Sequence, residues 1–300
     1  MSRTRRWVLE LLAAVALLET TRPCGRAANN NNKNKLLKVL FFSKSAGFEH
    51  DVVKRTDEGQ SLSETKLTEL GRTHGFDVVA TKDGRVFDGD LSQYDAFFFF
   101  TTGNLTEAGT DNTPAMSARG KEALLAAIRN GKGFIGVHSA SDTFHSKEEP
   151  YETQPQLDPY IAMLGGEFLS HGSQQEGRVK VVDTSFPGLQ GWAESFTIKE
   201  EWYSLKNFSK DIHVLLVLDT DGMHDSDYRR PPYPIAWVRK EGNGRVYFNA
   251  MGHRDDVWMS ERFQQMLAGA IAWATGAEDA EVDANLFKVA PEAGVMPSKK

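Results

Sequence analysis

Apolar runs and amphipathic segments alternate through the first half of the chain. Four runs are continuous enough for strands buried on both faces, at residues 36–42, 77–80, 95–102 and 133–139. Two intervening segments, 58–74 and 117–130, carry apolar residues at helical spacing and are followed by glycine, a common residue after a helix. This alternation predicts an α/β fold, a doubly wound three-layer sandwich around a mostly parallel sheet, whose ligands bind beyond the carboxyl ends of the strands.

The second half of the chain is richer in strands. Apolar runs predict strands at residues 178–183, 212–218, 235–239 and 245–249. The last two flank Glu241-Gly-Asn-Gly244, which predicts a hairpin because glycine and asparagine accept the positive φ of a tight turn. One more helix is predicted over 260–274. We therefore expect extra β hairpins beside the parallel sheet.

The first 28 residues have the composition of a targeting segment. They hold five Arg and about a dozen mostly apolar residues in succession, the length of a signal-peptide core and too short for a membrane-spanning helix. Thr4-Arg5-Arg6-Trp7-Val8-Leu9 resembles a twin-arginine export signal. We expect an exported protein, periplasmic or extracellular, that keeps no membrane span after processing. An organelle transit peptide and a basic tail on a cytoplasmic protein are the alternatives.

One domain is expected between two polar ends. Residues 29–36 include four successive asparagines and are expected to form a polar linker. Residues 277–300 are a polar tail with two prolines, expected to lie on the surface. The segment 37–276 has the length of one large α/β domain.

Composition narrows the possible functions. The 300 residues are 40% hydrophobic and 25% charged, as in a globular protein. The formal charge is −6; residues 1–28 contribute +3 from five Arg against two Glu, so the remainder carries −9 and should repel nucleic acid. Cys24 is the only cysteine, which excludes an intramolecular disulfide, a thiolate zinc site and a cysteine nucleophile in the main domain.

Four histidines lie at predicted strand ends or in loops. His50 follows the first strand, His138 ends the fourth, His171 lies in a loop and His253 follows the last strand. Each alone would be an ordinary structural or surface histidine. Because the carboxyl ends of parallel strands meet at one edge of the sheet, we expect these imidazoles to converge on one cleft, where they can bind a metal or move protons.

Glu201 is the candidate acid. The sequence Glu200-Glu201-Trp202-Tyr203 places carboxylates beside two large aromatics, which can desolvate an acid and raise its pKa toward a general acid/base role. A solvated pair at a strand edge is the alternative.

Further polar positions could bind a substrate. Asp142 could orient a histidine, bind a sugar hydroxyl or cap a helix. The backbone N–H groups of the Gly103-Asn104 turn could hold a polar substrate. No dinucleotide-binding, phosphate-loop, zinc-protease or serine-hydrolase motif occurs, so no nucleotide cofactor is expected.

Seven short motifs follow one another from residue 47 to residue 253. They are Gly47-Phe48-Glu49-His50-Asp51, Gly136-Val137-His138-Ser139-Ala140, Gly165-Gly166-Glu167-Phe168 with His171, Glu201-Trp202-Tyr203, Pro234-Ile235-Ala236-Trp237, Gly244-Arg245-Val246 and Gly252-His253. In this order they resemble the ThuA-like (trehalose-utilisation) family, over about residues 37–276. The resemblance implies a flavodoxin-like sheet within the class I glutamine amidotransferase superfamily. It also implies a role in sugar metabolism, including that of oxidised (3-keto) disaccharides.

The sequence departs from its more distant relatives at one position. In the amidotransferases a nucleophilic cysteine stands at the sharp turn where this sequence has His138, so glutamine hydrolysis through a thioester is excluded. Imidazole at that turn can bind a metal or move a proton instead. Arg254 also follows His253, where the family often has an acid.

These observations support one main hypothesis and two alternatives. The main hypothesis is a sugar-directed lyase, hydrolase or isomerase with the catalytic residues His50, His138, Glu201 and His253, whose three histidines would also hold zinc or manganese. The residues predicted to bind the carbohydrate are Gly103, Asn104, Ser139, Asp142, His171, Trp202 and Tyr203. The alternatives are a non-catalytic sugar-binding module that uses Trp202, Trp237 and Trp258, and a serine hydrolase that uses Ser139. A homo-oligomer is compatible with each of them.

Overall fold

The structure is a computed structural model that describes residues 36–56, 59–147, 149–152 and 154–298. The predicted export segment, 1–28, and all of the predicted linker except Leu36 lie outside the described residues. Within those described ranges, no helix combines the length and the apolarity that crossing a membrane requires.

Strands and helices alternate along the described chain. The strands are β1 (Leu37–Phe42), β2 (Phe76–Thr81), β3 (Ala96–Phe99), β4 (Gly133–Val137), β5 (Glu167–His171), β6 (Gln175–Val181), β7 (Ser195–Glu200), β8 (Tyr203–Lys206), β9 (His213–Asp219), β10 (Tyr233–Glu241) and β11 (Gly244–Asn249). The helices are α1 (Leu62–His74), α2 (Ala118–Arg129), α3 (Pro159–Leu164), α4 (Asp255–Met259), α5 (Glu261–Thr275) and α6 (Leu286–Val289).

The central sheet begins with five parallel strands. Their order is β2-β1-β3-β4-β11, and Val39 of β1 pairs with Val78 on one side and Ala96 on the other. An order that starts 2-1-3-4 is that of a flavodoxin-like, doubly wound sheet. The predicted fold class is therefore confirmed.

Helices pack on the parallel strands and complete the sandwich. Phe97, Phe98 and Phe99 of β3 are fully buried, as the continuous apolar run predicted. α5 packs against β4 and β11 and touches α1, while α2 contacts α3. Phe41 and Phe98 meet edge to face, with ring centres 5.2 Å apart. This packing leaves the carboxyl ends of β1, β3, β4 and β11 at one edge of the sheet.

Antiparallel strands extend the sheet beyond β11. The order continues β10-β9-β6-β7, while β5 and β8 form a separate two-stranded sheet. The β10–β11 hairpin turns where Glu241 pairs with Gly244, as predicted, and the extra hairpins of the second half are confirmed. β5, β7 and β8 were not predicted, because each is only four to six residues long and mixes apolar with polar side chains.

The predicted C-terminal tail is anchored to the antiparallel strands. The side-chain oxygen of Asn285 accepts the N–H of Val214 at 2.6 Å. Arg230 donates to the carbonyl of Ala293 at 2.6 Å, and Ala293 is buried. The polar composition of this segment did not indicate these anchors. The predicted domain bounds stay a prediction.

Candidate metal and acid–base site

Three imidazoles and one carboxylate converge near the carboxyl edge of the parallel strands. His50 lies in the loop after β1, His138 directly after β4, His253 in the loop after β11, and Glu201 directly after β7. One ligand atom from each lies within 4.8 Å of the others. The predicted convergence of these four residues is present in the structure, and their catalytic and metal-binding roles stay predictions.

His138 occupies a left-handed turn at the end of β4. Its φ is +47°, and it begins the 3₁₀ helix His138–Asp142. The ring Nδ1 lies 2.8 Å from the carbonyl oxygen of Ala250, which accepts a hydrogen bond and so places the ring proton on Nδ1. Nε2 lies 3.5 Å from Glu201 Oε2, buried and without a hydrogen-bond partner among the described residues. Metal-binding histidines have this arrangement, with the second nitrogen held by a carbonyl or carboxylate.

His50 is a second buried imidazole. Its Nε2 lies 3.4 Å from the Tyr203 hydroxyl, and its Nδ1 has no hydrogen-bond partner in the part of the chain that is described. Burial, together with the neighbouring His138 and His253 rings, lowers the pKa of His50 to about 2. The ring is therefore neutral at physiological pH, which is the form in which imidazole binds a metal.

Glu201 is held ionised at the centre of the cluster. Its Oε2 lies 3.0 Å from His253 Nδ1, and its Oε1 lies 3.5 Å from His171 Nδ1. Burial would raise the pKa of Glu201, but contacts with His138 and His253 outweigh it and hold the pKa well below its usual range. The expected rise in this pKa was wrong, because imidazoles as well as aromatics surround the carboxylate. A carboxylate with so low a pKa is a weak base and a good cation ligand.

Glu200 joins two segments of the site. One of its buried carboxylate oxygens accepts the N–H of Glu201 and the other accepts the N–H of Gly252, both at 2.8 Å. Burial raises the pKa of this carboxyl. Glu200 therefore connects the end of β7, which carries Glu201, to the loop that carries His253. The sequence indicates Glu200 only as a neighbour of Glu201, because no sequence pattern shows that the Glu200 side chain reaches Gly252.

A chain of polar contacts runs from His253 to the surface. Arg254 Nη1 donates to Gln174 Oε1 at 2.7 Å, and Gln174 Nε2 lies 2.9 Å from His253 Nε2. Since the amide nitrogen is the donor here, a neutral His253 carries its proton on Nδ1, facing Glu201. Burial lowers the pKa of His253, but Glu201 outweighs it and raises the pKa overall. Gln174 was not predicted, because a single glutamine in a loop forms no recognisable pattern.

His171 lies at the rim of the cluster and Tyr203 is buried against it; both were predicted to bind the carbohydrate. The Tyr203 ring lies 4.1 Å from the His138 ring, centre to centre. Burial raises the pKa of Tyr203 well above its usual value, so the phenol stays protonated. The His171 side chain is 44% exposed, and its Nδ1 lies 2.9 Å from the carbonyl oxygen of Gly172. His171 is therefore the imidazole of this group most open to a substrate.

The three tryptophans considered for stacking on a sugar lie in the core. Trp202, Trp237 and Trp258 are fully buried. Their indole N–H groups donate to the carbonyls of Gln175, Leu164 and Gly252 at 3.0, 2.9 and 2.8 Å respectively. A ring with no exposed face cannot stack on a ligand. This placement argues against Trp202 as a substrate-binding residue and against the indole-based binding module.

Gly103, Asn104 and Ser139 present no accessible free side chain or Gly103 N–H group to a substrate at the cluster. The Gly103 N–H donates to the carbonyl of Asp142 at 2.7 Å. The Asn104 side chain is bonded within its own loop. Ser139 is fully buried, one residue beyond the turn that His138 occupies. These placements argue against the backbone site at Gly103-Asn104 and against a serine hydrolase.

Asp142 orients a histidine that was not singled out from the sequence. His145 lies between two carboxylates, with Nε2 bonded to Asp142 and Nδ1 3.1 Å from Glu167 Oε1. Burial lowers the pKa of His145, but Asp142 and Glu167 outweigh it and raise the pKa to about 9. Of the roles considered for Asp142, orientation of a histidine is the one found, at a position outside the four-residue cluster.

Loops that follow the parallel strands contribute to two clefts. A cleft of about 640 Å³ adjoins His145 and Lys121 and includes none of the four cluster residues. A smaller cleft, of about 400 Å³, includes His253. Its lining residues are Phe48, Asp51, Gln174, His253, Arg254, Asp255, Asp256 and Met259. The smaller cleft is therefore the one through which we expect a ligand to reach the cluster.

The family of the protein follows from its likeness to known proteins. The family model described as trehalose utilisation, ThuA, matches residues 38–274. The chain belongs to the ThuA family. All four cluster residues fall within the matched segment, and the role of this ThuA protein is carbohydrate-related.

Solved structures of ThuA-like proteins share the fold. One from Bacteroides uniformis is 22% identical, with a TM-score of 0.60, over 82% of this chain and 94% of its own. One from Parabacteroides merdae is 17% identical, with a TM-score of 0.58, over 82% of this chain and 92% of its own. No curated protein matches the sequence. At these identities the likeness establishes the fold, so the chemistry of the site has to be derived from its own residues.

Proposed function

We propose that this ThuA protein is a metal-assisted enzyme that cleaves oxidised, 3-keto sugars or disaccharides. One observation carries the proposal. Two imidazole nitrogens, His50 Nδ1 and His138 Nε2, are buried with no hydrogen-bond partner among the residues described, and His253 Nδ1 contacts only the Glu201 carboxylate, 3.0 Å away. Buried polar atoms without a partner are uncommon and costly. A divalent cation held between the three rings and the Glu201 carboxylate would satisfy both unpaired nitrogens.

The donor set fits zinc or manganese. Imidazole nitrogen and carboxylate oxygen are ordinary ligands of both ions, and the four ligand atoms lie within 4.8 Å of one another. The Ala250 carbonyl already holds His138 with Nε2 unprotonated. His253 would have to give up the Nδ1 proton that faces Glu201, so binding of the cation should release a proton.

A 3-keto sugar suits this site because its carbonyl acidifies the neighbouring C–H bond. When bound, the cation would supply positive charge that stabilises the oxyanion developing on the C3 oxygen. A base removes the proton from C2, a C1=C2 double bond forms as the C1–O glycosidic bond breaks, and the departing oxygen takes up a proton. This elimination needs one group that moves a proton, rather than the pair of carboxylates that ordinary glycosidases use.

His171 is the residue best suited to move that proton. Its Nδ1 faces the oxygens of Gly172 at 2.9 Å and Glu201 at 3.5 Å, so Nδ1 carries the ring proton and Nε2 is left to accept one. The side chain is 44% exposed, whereas His50 and His138 are buried. Once charged, the imidazolium returns the proton to the departing oxygen.

The test uses the full chain loaded with zinc or manganese. We expect about one ion per chain by elemental analysis, and conversion of a 3-keto disaccharide but not of the unoxidised sugar. Removal of the metal with a chelator should stop the conversion. His138→Ala should lose both metal and turnover, whereas His74→Ala, at an exposed position of α1, should keep both. Wild-type protein that binds neither metal, or that binds one and converts no keto sugar, would refute the proposal.

A further inference from the structure

The cleft beside His253 has an apolar wall that the cluster does not explain. Phe48 and Met259 are 68% and 56% exposed, and both line this cleft. Five large apolar side chains are exposed in the described part of the chain, and two of the five lie here. Scattered exposed apolar residues are ordinary, but apolar side chains that gather at a concave surface indicate a ligand site.

Phe48 is held beside the cluster. Its ring meets the His50 ring edge to face, with 5.0 Å between the ring centres. It lies two residues before His50 in the loop after β1, so its exposed ring continues the group of cluster rings toward solvent. A flat, exposed aromatic ring provides a surface on which the C–H face of a pyranose can pack.

The rest of the wall can form hydrogen bonds with hydroxyl groups. Gln174 and Arg254 line the cleft and form the chain of contacts that ends at His253. Arg254 is also paired with Asp256 through two bonds of 2.9 Å, which fix the orientation of the guanidinium. Sugar hydroxyls both donate and accept, so they can bond to the amide, carboxylate and guanidinium groups of this wall.

The cleft carries negative charge. Three carboxylates, those of Asp51, Asp255 and Asp256, stand against the one guanidinium of Arg254, which gives a formal charge of −2. Such a wall repels a phosphate or carboxylate group and accepts a neutral ligand. The cleft volume of about 400 Å³ falls within the range of about 300–1,000 Å³ that small-molecule sites have.

We infer that this cleft is a subsite for an uncharged pyranose ring stacked on Phe48, and that it selects neutral glycosides over phosphorylated ones. The inference rests on the proposed function, because the ring in this cleft is the second ring of a disaccharide whose oxidised ring reacts at the cluster. Phe48 then contributes to substrate binding and not to the chemical step.

Binding and turnover in the metal-loaded full chain test the stacking. Phe48→Ala should weaken trehalose binding by about tenfold and raise the KM for 3-keto-trehalose by a similar factor. The kcat and the zinc affinity should stay within about twofold of wild type, because Phe48 touches neither the reacting atoms nor the ion. Phe48→Trp should restore binding and KM. Phe287→Ala is the matched control, since Phe287 is 62% exposed on α6 and does not line the cleft.

A phosphorylated ligand tests the charge of the cleft. At low salt, wild type should bind trehalose 6-phosphate at least about tenfold more weakly than trehalose. Asp51→Asn combined with Asp255→Asn should narrow that difference. Equal or tighter binding of the phosphorylated sugar by wild type would overturn the selectivity.

The outcomes separate this subsite from the proposed function. Turnover with an unchanged KM in Phe48→Ala would overturn the subsite and leave the proposed function standing. Sugar binding that depends on Phe48, without any turnover, would support the subsite and overturn the proposed function. Failure of the wild type to bind any of these sugars would overturn both.

Discussion

Replacement of Glu200 by glutamine would show whether the site depends on the hydrogen bonds that the Glu200 side chain accepts from the backbone. The change keeps the size of the side chain and removes its charge. In the wild type both carboxylate oxygens accept, one from the N–H of Glu201 and one from the N–H of Gly252, at 2.8 Å each. Glutamine has a single oxygen, so one of these N–H groups loses its acceptor and faces an NH₂ group instead.

The two hydrogen bonds set the size of the expected effect. A hydrogen bond to a charged group contributes about 1.5–3 kcal/mol, and a buried donor left unpaired costs about 1–3 kcal/mol. Removal of a buried charge offsets part of this loss, since burial already raises the pKa of Glu200. We expect the free energy of unfolding to fall by about 2 kcal/mol. Zinc affinity should fall by about tenfold or more, because the loop that carries His253 is no longer fixed relative to Glu201.

Urea denaturation of the metal-free protein and a zinc titration of the folded protein measure the two effects separately. Glu122→Gln, at an exposed position of α2, is the matched control and should change neither. Glu200→Asp keeps the charge but is too short to reach both N–H groups, and we expect an intermediate loss of zinc affinity. If the free energy of unfolding of Glu200→Gln stays within about 0.5 kcal/mol of wild type and its zinc affinity within about twofold, Glu200 does not position the site.

Two further predictions concern histidines outside the four-residue cluster. The pKa of His145 is lowered by burial but raised overall to about 9 by Asp142 and Glu167, above the ordinary value of 6.5. The charged ring therefore stabilises the fold fully below pH 6.5, and this contribution is lost as the pH rises through about 9. Because the side chain is 41% exposed, we expect this contribution to be only about 1 kcal/mol. In urea denaturation, the free energy of unfolding of wild type should therefore fall by about 1 kcal/mol more than that of His145→Asn as the pH rises through this range. Parallel pH profiles of the two proteins would contradict this. His171→Gln should lower kcat on a 3-keto disaccharide by about 100-fold and leave the zinc content unchanged. The control, His224→Gln at an exposed position, should leave kcat unchanged. A fall in kcat of less than about tenfold in His171→Gln would exclude His171 as the base.

A general rule for parallel sheets was enough to predict from the sequence that three histidines lie close together. His50, His138 and His253 each follow a strand of the five-stranded parallel part, and the carboxyl ends of such strands share one edge. Glu201 follows β7, the last antiparallel strand in the sheet order, so the same rule does not place it at the cluster. Its selection depended on its aromatic neighbours and on the family resemblance.

The direction of adjacent side chains was harder to predict. Neighbouring residues of an extended chain point to opposite sides, so Trp202 and Tyr203 could not both have faced one cleft. The pattern does not say which of them faces the cluster. In the structure Tyr203 does, and Trp202 packs against Gly177, where even a Cβ atom would lie 2.6 Å from the indole nitrogen. That contact joins positions distant in sequence, and no local pattern indicates it.

The turn at His138 suits a bound cation better than a covalent intermediate. Pairing of Val137 with Asn249 brings His138 beside Ala250, whose carbonyl oxygen binds Nδ1. A nucleophile needs an exposed reactive atom, and His138 is fully buried. The left-handed backbone of His138 costs about 1–3 kcal/mol of conformational strain. It holds the ring in a position where only Nε2 is available to the cluster.

The same segment carries His253, the neighbouring residue of the proposed metal site. Two residues beyond Ala250, the N–H of Gly252 is held by Glu200, and His253 comes next. The backbone on both sides of this segment is therefore fixed by hydrogen bonds before any ligand binds. A metal site needs ligands held close to their final geometry by surrounding contacts, because the cost of ordering them would otherwise be subtracted from the affinity. For this reason a change at Glu200, which contributes no atom to the ion, should weaken metal binding.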